Sequence, residues 1–399
     1  MKRHLYHLPI LYRTYHLYKV KVYYLIQEIH WNNRLIGIKG ARGTGKTTLM
    51  LQQLQSLKMP ATQAAYFSLD DLYFTQNQLI DTIEQFYREG GKIAFLDEVH
   101  KYPGWAREVK NLFDYYPDLQ IVFTGSSIID LAKEEGDLSR RAVMYELHGL
   151  SFREYLHISE TLSFDPLSLD DLLHNSSEVR DLFPIDFRPL SYFQDYLSHG
   201  YYPFFMEDKE GFHRRLEQMI RVVIEYDMAA LKGFDPRNAR KLLLLLFILS
   251  SNVPFKPNLT QLANKAEIHR NTVLNYLIYL ENARLIHLLH PPGAGLSLLQ
   301  RPEKIYLHNT NLAFAMASIA PNKGNIRETF FQNQLQCFHE VKIPGKGDFL
   351  IDDRFTFEIG GKQKGHEQIA NIPDSFVVRD EMEYPVGKAI PLWLFGCLY

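Results

Sequence analysis

Eight consecutive residues, Gly40-Ala41-Arg42-Gly43-Thr44-Gly45-Lys46-Thr47, carry the spacing G-x-x-x-x-G-K-[ST]. The chemistry such a run performs is the cradling of phosphate. Its glycines let the backbone curl so that successive N–H groups point at phosphate oxygens, and the start of a following helix adds partial positive charge. Lys46 is expected to reach the β- and γ-phosphates and the Thr47 hydroxyl to ligate Mg²⁺. The context agrees, because the apolar run Leu35–Ile38 precedes the loop and Thr48-Leu-Met-Leu-Gln-Gln-Leu opens a helix after it. Residues 40–48, Thr48 included, are therefore the candidate nucleotide-binding segment.

A second group of residues would complete a hydrolytic site. Ile93-Ala-Phe-Leu-Asp97-Glu98 is an apolar strand ending in two carboxylates. Asp97 is expected to support the metal, and Glu98 to polarise the attacking water. A kinase acting on a small molecule has less need of that second acid, so the pair favours hydrolysis. The strand Ile121-Val-Phe-Thr124 ends in Gly125-Ser126-Ser127. Ser126 is the expected phosphate sensor and Thr124 the reserve. Ser139-Arg140-Arg141 precedes Val143–Leu147, and Arg141 is the candidate to stabilise transition-state charge, in cis or from a neighbouring subunit of a homo-oligomer. His100, just past the acid pair, reads as a capping or packing residue with nucleotide sensing as the alternative.

Two further constellations lie downstream. Residues 259–288 read LTQLANKAEIHRNTVLNYLIYLENARLIHL, a helix-turn-helix with Thr260 as the expected cap. Its second helix, from Arg270 to about Glu281, has Val273, Leu274, Leu277 and Leu280 on its apolar face. The strand-like Leu285–Leu289 suits a wing. His269, Arg270, Asn271 and Thr272 stand where a DNA reader meets base edges. The helix carries few basic residues, however, and phosphate contacts normally dominate affinity. A packing or protein-partner role weighs against DNA contact. In the last hundred residues an amphipathic helix beginning Arg327-Glu328 is followed by Asp348 and then Phe355-Thr-Phe-Glu358-Ile-Gly-Gly-Lys362. An acid on one strand and E-x-K on the next is the arrangement of metal-dependent nucleases. Here Gly360 stands in the lysine position, and Lys362 keeps the same strand face but lies roughly 6.6 Å further along. The expectation is a nuclease-like scaffold without cleavage.

The elements that must position these residues follow from periodicity. Short β-branched or aromatic runs at Arg34–Lys39, Ala64–Ser68, Ile93–Leu96, Gln120–Thr124 and Val143–Leu147 alternate with helical patterns, as in a parallel sheet flanked by helices. A Tyr-, Leu- and His-rich helix is expected over residues 5–30. The polar stretch Ser159–Glu178 reads as an exposed connection, and 190–250 as helical. The expected organisation is an N-terminal helix (1–30), a P-loop core (31–158), a polar connection with a helical region (159–235), a winged-helix-like segment (236–295) and a C-terminal restriction-endonuclease-like α/β unit (296–399).

The ordered set GARGTGKTTLM, FLDEVH, FTGSS, SRRAVMYELHGLSFREYL, with HGYYPFF (His199–Phe205) and KIYLHNTNLAFAM (Lys304–Met316), resembles bacterial ATPases that pair an AAA-type core (AAA_14) with a carboxy-terminal domain of unknown function (DUF4143). The resemblance spans about residues 20–399. It implies an additional-strand P-loop core, ATP and ADP as ligands, Mg²⁺ as cofactor, and ATP hydrolysis as activity. A nucleotide-gated switch or DNA-binding regulator with little hydrolysis is the alternative. No N-K-x-D guanine motif occurs, since Asn264-Lys265-Ala266-Glu267 misses the Asp. A net charge of −2 gives no whole-chain attraction for nucleic acid, and two cysteines, Cys337 and Cys397, fit a reducing cytoplasm. Leu242–Leu249 is far short of the roughly 20 apolar residues of a spanning helix, so no membrane is expected.

Overall fold

The computed structural model describes residues 23–126, 138, 140–228, 234–251, 258–290, 302–317, 320–387 and 389–399, with the backbone alone at 176 and 177. It divides into two compact units, Met1–Gly149 and Leu150–Tyr399.

In the first unit β1 (Leu35–Gly40), α1 (Lys46–Ser56), β2 (Ala64–Ser68), α2 (Leu79–Arg88), β3 (Ile93–Asp97), α3 (Trp105–Tyr115), β4 (Gln120–Ser126) and β5 (Val143–Glu146) follow in sequence. The strands form one sheet in the order β2-β3-β4-β1-β5, and every pairing is parallel. Continuous apolar runs such as Ile36 and Ile38, or Ala94 to Leu96, suit strands covered on both faces, and all five residues are buried. Helices supply one cover: α2 buries Leu79, Ile83 and Phe86, and α3 buries Trp105, Val109 and Leu112, each at i, i+4, i+7. These side chains join Leu35, Phe67, Leu96 and Phe123 in one core. Because all strands run the same way, the ends of β1, β3 and β4 share one edge. Gly40 pairs with Ser126 and Leu96 with Phe123, which sets Asp97 beside Thr124.

The expected strands are all present, within two residues at each end. Of the expected N-terminal helix, only Leu25–Glu28 is helical among the described residues, and 1–22 lie outside them. Ser127 and Ser139 also lie outside the described residues.

The second unit opens on α4 (Phe152–Ile158), started by a capping box in which Ser151 and Glu154 bond each other's backbone N–H. The polar stretch expected to be an exposed connection contains the helix Leu169–His174. Leu169, Leu172 and Leu173 are buried there, at the i, i+3, i+4 spacing that the acidic neighbours obscure. Then come α5 (Ala239–Ser250), α6 (Leu259–Ala266), α7 (Arg270–Asn282) and the antiparallel pair β6 (Ile286–Leu289) and β7 (Lys304–Leu307). The cap of α6 is Asn258, whose side chain accepts from Gln261 N–H, and Thr260 lies inside the helix. Finally α8 (Lys323–Leu335) precedes a second sheet of β8 (Val341–Lys342), β9 (Phe349–Ile351), β10 (Phe355–Gly360), β11 (Ser375–Arg379) and β12 (Ala389–Pro391). The first three strands are antiparallel and the last two join in parallel. Helix α8 starts at Lys323, four residues before Arg327, because Asn322 accepts from Gly324 and Asn325 N–H. Among the described residues no helix is long and apolar enough to cross a membrane.

Phe123 is 1% exposed in the middle of β4, its ring centroid 5.2 Å from that of Trp105. Phe123→Ala is expected to destabilise the first unit by about 3–5 kcal/mol through the cavity it leaves, read as a lowered midpoint in chemical denaturation.

Candidate functional site

Strand β1 delivers the phosphate loop at the shared edge, and two glycines shape it. Gly43 has φ 82° and Gly45 φ 98°, a region that side chains avoid. A Cβ on Gly45 would also lie 1.9 Å from the Tyr23 hydroxyl oxygen, so a side chain there would have to displace the Tyr23 ring. Thr44 donates its hydroxyl to the Ala41 carbonyl at 2.9 Å, closing the turn. The Lys46 ammonium, 6% exposed, donates to the carbonyls of Gly40 and Ala41 at 3.0 and 2.9 Å. It thus sits folded back on the loop whose N–H groups would face a phosphate. Thr47 and Thr48 follow in the first turn of α1.

Asp97 is the centre of the site. Only 2% exposed, it accepts from Thr47 Oγ1 at 2.7 Å and from Tyr66 Oη at 2.7 Å, both on Oδ2, and from the Thr124 hydroxyl on Oδ1. Three hydroxyls from β2, β4 and α1 therefore meet one carboxylate. Burial, then the Asp97 charge, pushes the Tyr66 phenol far above its usual range and keeps it a donor. Thr124, held in reserve in the sequence, belongs to this network. Tyr66 was missed, because the neighbouring of β2 and β3 is a tertiary fact that no local spacing reports.

Glu98 adopts φ 53°, ψ 41°, a left-handed conformation unusual for a glutamate. Its N–H donates to Thr124 Oγ1 at 3.1 Å. Its carboxylate lies 3.2 Å from His100 Nε2, with 32% of the side chain exposed. The other ring nitrogen of His100, Nδ1, accepts from Ser126 N–H at 3.4 Å, which leaves Nε2 as the N–H that faces Glu98. His100 thus bridges Glu98 to the end of β4. Burial raises the Glu98 pKa, Lys46 lowers it, and Asp97 raises it, with a net upward shift.

Ser126 pairs with Gly40 in the sheet and is 5% exposed, so it lies beside the start of the loop. Arg141 lies elsewhere. Its guanidinium meets both oxygens of Asp114 at 2.9 Å. It precedes Val143, which pairs with Ile36 near the start of β1. Within its own chain it therefore stands at the opposite edge of the sheet from the loop, a full strand length away, and takes no part in the group around Asp97.

The oxygen donors Thr47 and Asp97 suit a hard cation such as Mg²⁺. Among the described residues no three His, Cys, Asp or Glu side chains gather on one point. A cation here would take the rest of its shell from nucleotide phosphates and water, the usual manner of Mg²⁺.

A parallel sheet with a phosphate loop after its first strand and an acid at the end of β3 defines the P-loop NTPase fold. Residues 32–156 match the family model of an AAA domain, and residues 190–323 match that of a domain of unknown function, DUF8612. Residues 32–156 are thus similar to an AAA domain. The uncharacterized protein MJ1637 of Methanocaldococcus jannaschii is 29% identical over 284 residues, which cover 68% of this chain and 60% of that protein's length. Among solved structures, RuvB of Thermotoga maritima is 13% identical, covering 64% of this chain and 82% of that one, with a TM-score of 0.31. AMPPCP-bound DnaA of Aquifex aeolicus is 19% identical, covering 64% and 84%, with a TM-score of 0.27. The strand order and the loop, not these superpositions, define the fold.

A base works only when ionised, and a raised pKa delays ionisation to higher pH. Were Glu98 the base of a nucleotide hydrolysis, the acid limb of kcat/KM would therefore lie above the ordinary glutamate range of about 4.3. A pH–rate profile checks it; a limb at or below that range would show that Glu98 is not the titrating base.

Proposed function

We propose that this chain is an Mg²⁺-dependent ATPase, with Glu98 activating water for attack on the γ-phosphate of ATP bound at residues 40–48. The observation that carries the reading is the 2.7 Å bond between Thr47 Oγ1 and the Asp97 carboxylate. It joins the helix after the phosphate loop to the acidic strand, the pairing that would hold a nucleotide-bound cation. Lys46 would leave its two loop carbonyls for the β- and γ-phosphates, which offer a stronger, charge-assisted contact. Ser126, beside Gly40 and tied to His100, is suited to register the γ-phosphate and pass its presence to Glu98. Arg141 would serve only from a neighbouring subunit of a homo-oligomer, after exchanging Asp114 for phosphate. In this reading hydrolysis drives rearrangement of the helical, winged-helix-like and C-terminal segments, and the setting is cytoplasmic.

A second reading, a nucleotide-gated switch with little hydrolysis, draws on the contact between Glu98 and His100. A base engaged by its neighbour is held back from water. The exposed His269, Arg270 and Asn271 at the start of α7 are the candidate contact to DNA, and a protein partner is the other candidate trigger.

Turnover of ATP by the full chain with Mg²⁺ tests the proposal. Glu98→Gln is expected to retain ATP while turnover falls by about 10²–10⁴-fold, and Lys46→Ala to lose nucleotide binding. Wild-type protein that holds ATP without multiple turnover would favour the switch. Stimulation by duplex DNA, lost in Arg270→Ala, would make DNA the partner.

A further inference from the structure

Glu358 is followed two residues later by Gly360, where the E-x-K pattern has its lysine. In space that place is filled. A Cβ on Gly360 would lie 2.7 Å from each of Cβ, Cγ and Cδ of Lys364. The stem of Lys364 therefore runs over Gly360, and its ammonium pairs with Glu358 Oε1. Lys362, which alternation keeps on the same face but too far along, is exposed beyond the end of β10. The turn after β10 brings back a different lysine, and the glycine makes room for it.

The carboxylates are equally placed. Phe357 of β10 pairs with Phe349 of β9, and Asp348 stands just before β9. Asp348 N–H donates to the Phe357 carbonyl at 2.8 Å, and Asp348 Oδ2 accepts from Ile359 N–H at 2.7 Å. Asp348 thus bonds the residues on either side of Glu358; two carboxylates brought together repel, and burial worsens the repulsion. Glu358 is 2% exposed, and its Oε2 is buried without a hydrogen-bond partner. Helix α8 adds Glu328, close enough for Asp348 to repel it, and held by Tyr306 Oη at 2.7 Å and by Lys304 at 3.7 Å. Asp348 remains partly exposed, and the Lys364 side chain is 28% exposed. The group is thus open to solvent on one side.

We propose that Asp348 and Glu358 bind a divalent cation and, with Lys364, hydrolyse a phosphodiester bond of a nucleic acid strand. The cation relieves the repulsion between the carboxylates and ligates the unpartnered Glu358 oxygen. Two carboxylates suffice for Mg²⁺ or Mn²⁺ when water and phosphate oxygens complete the shell. In the reaction a water oxygen forms a bond to phosphorus, and the bond from phosphorus to the leaving strand's oxygen breaks with its electron pair. The proton released by the water ends on that leaving oxygen through solvent. Lys364, paired with Glu358, steadies the developing hydroxide.

The test uses the full chain without nucleotide. Mn²⁺ binding followed by electron paramagnetic resonance is compared between wild type and Asp348→Asn, with ATP turnover and circular dichroism confirming that the variant folds. The expected result is a loss of about one bound ion per chain in the variant. Wild type should also cleave labelled DNA or RNA, single- or double-stranded, with Mn²⁺ or Mg²⁺. Lys364→Met should keep the ion but lower cleavage by at least about 10²-fold, with Lys364→Arg restoring part of it. Equal Mn²⁺ binding by wild type and Asp348→Asn would overturn the site. Binding without cleavage of any of these strands, or cleavage that survives Asp348→Asn, would overturn the hydrolytic role.

Discussion

The first unit is organised around the buried charge of Asp97. A carboxylate removed from water is costly unless its oxygens are bonded, and here three hydroxyls supply the bonds. They come from Thr47 on α1, Tyr66 on β2 and Thr124 on β4. Hydrogen bonds to a charged group are each worth about 1.5–3 kcal/mol. The charge therefore also acts as a fastener, fixing the helix after the phosphate loop to three neighbouring strands. The same oxygens are the ones a hard cation would seek, so stability and function draw on one group.

Two carboxylates adjacent in sequence acquire opposite characters from this arrangement. Asp97 ends its strand in regular geometry, with every hydroxyl of the network turned to it. Glu98 departs into a left-handed conformation, and its N–H rests on Thr124. Its carboxylate faces His100 instead of Asp97. Burial raises its pKa, as befits the proposed role of proton acceptor. The Thr124 hydroxyl donates to one acid and accepts from the backbone of the next, so it couples the two.

The second unit solves its own charge problem by bringing lysine from outside the strand. Asp348 bonds the backbone on either side of Glu358, and the ammonium that pairs with Glu358 arrives from Lys364 in the turn beyond β10. Gly360 is the condition for that approach, since any side chain there would meet the lysine stem.

The phosphate loop was legible because its function depends on local backbone geometry. Gly43, Gly45, Lys46 and Thr47 must stand at fixed spacing for any such loop to form, and the same holds for an apolar strand ending in Asp97 and Glu98. The strands and helices were legible from apolar periodicity, which burial imposes residue by residue. What the sequence could not supply was which elements lie side by side. Tyr66 joins Asp97 only because β2 pairs with β3. Arg141 is carried to the far edge of the sheet because β5 runs parallel to β1. Asn258 caps α6 in place of Thr260 because a cap depends on where the backbone leaves helical geometry. Lys364 reaches Glu358 because the chain turns back after β10, which no local spacing reports. Local spacing determined which chemical groups this protein offers, and only the tertiary structure decided which side chains meet, since strand neighbours and turns are set by packing between distant segments.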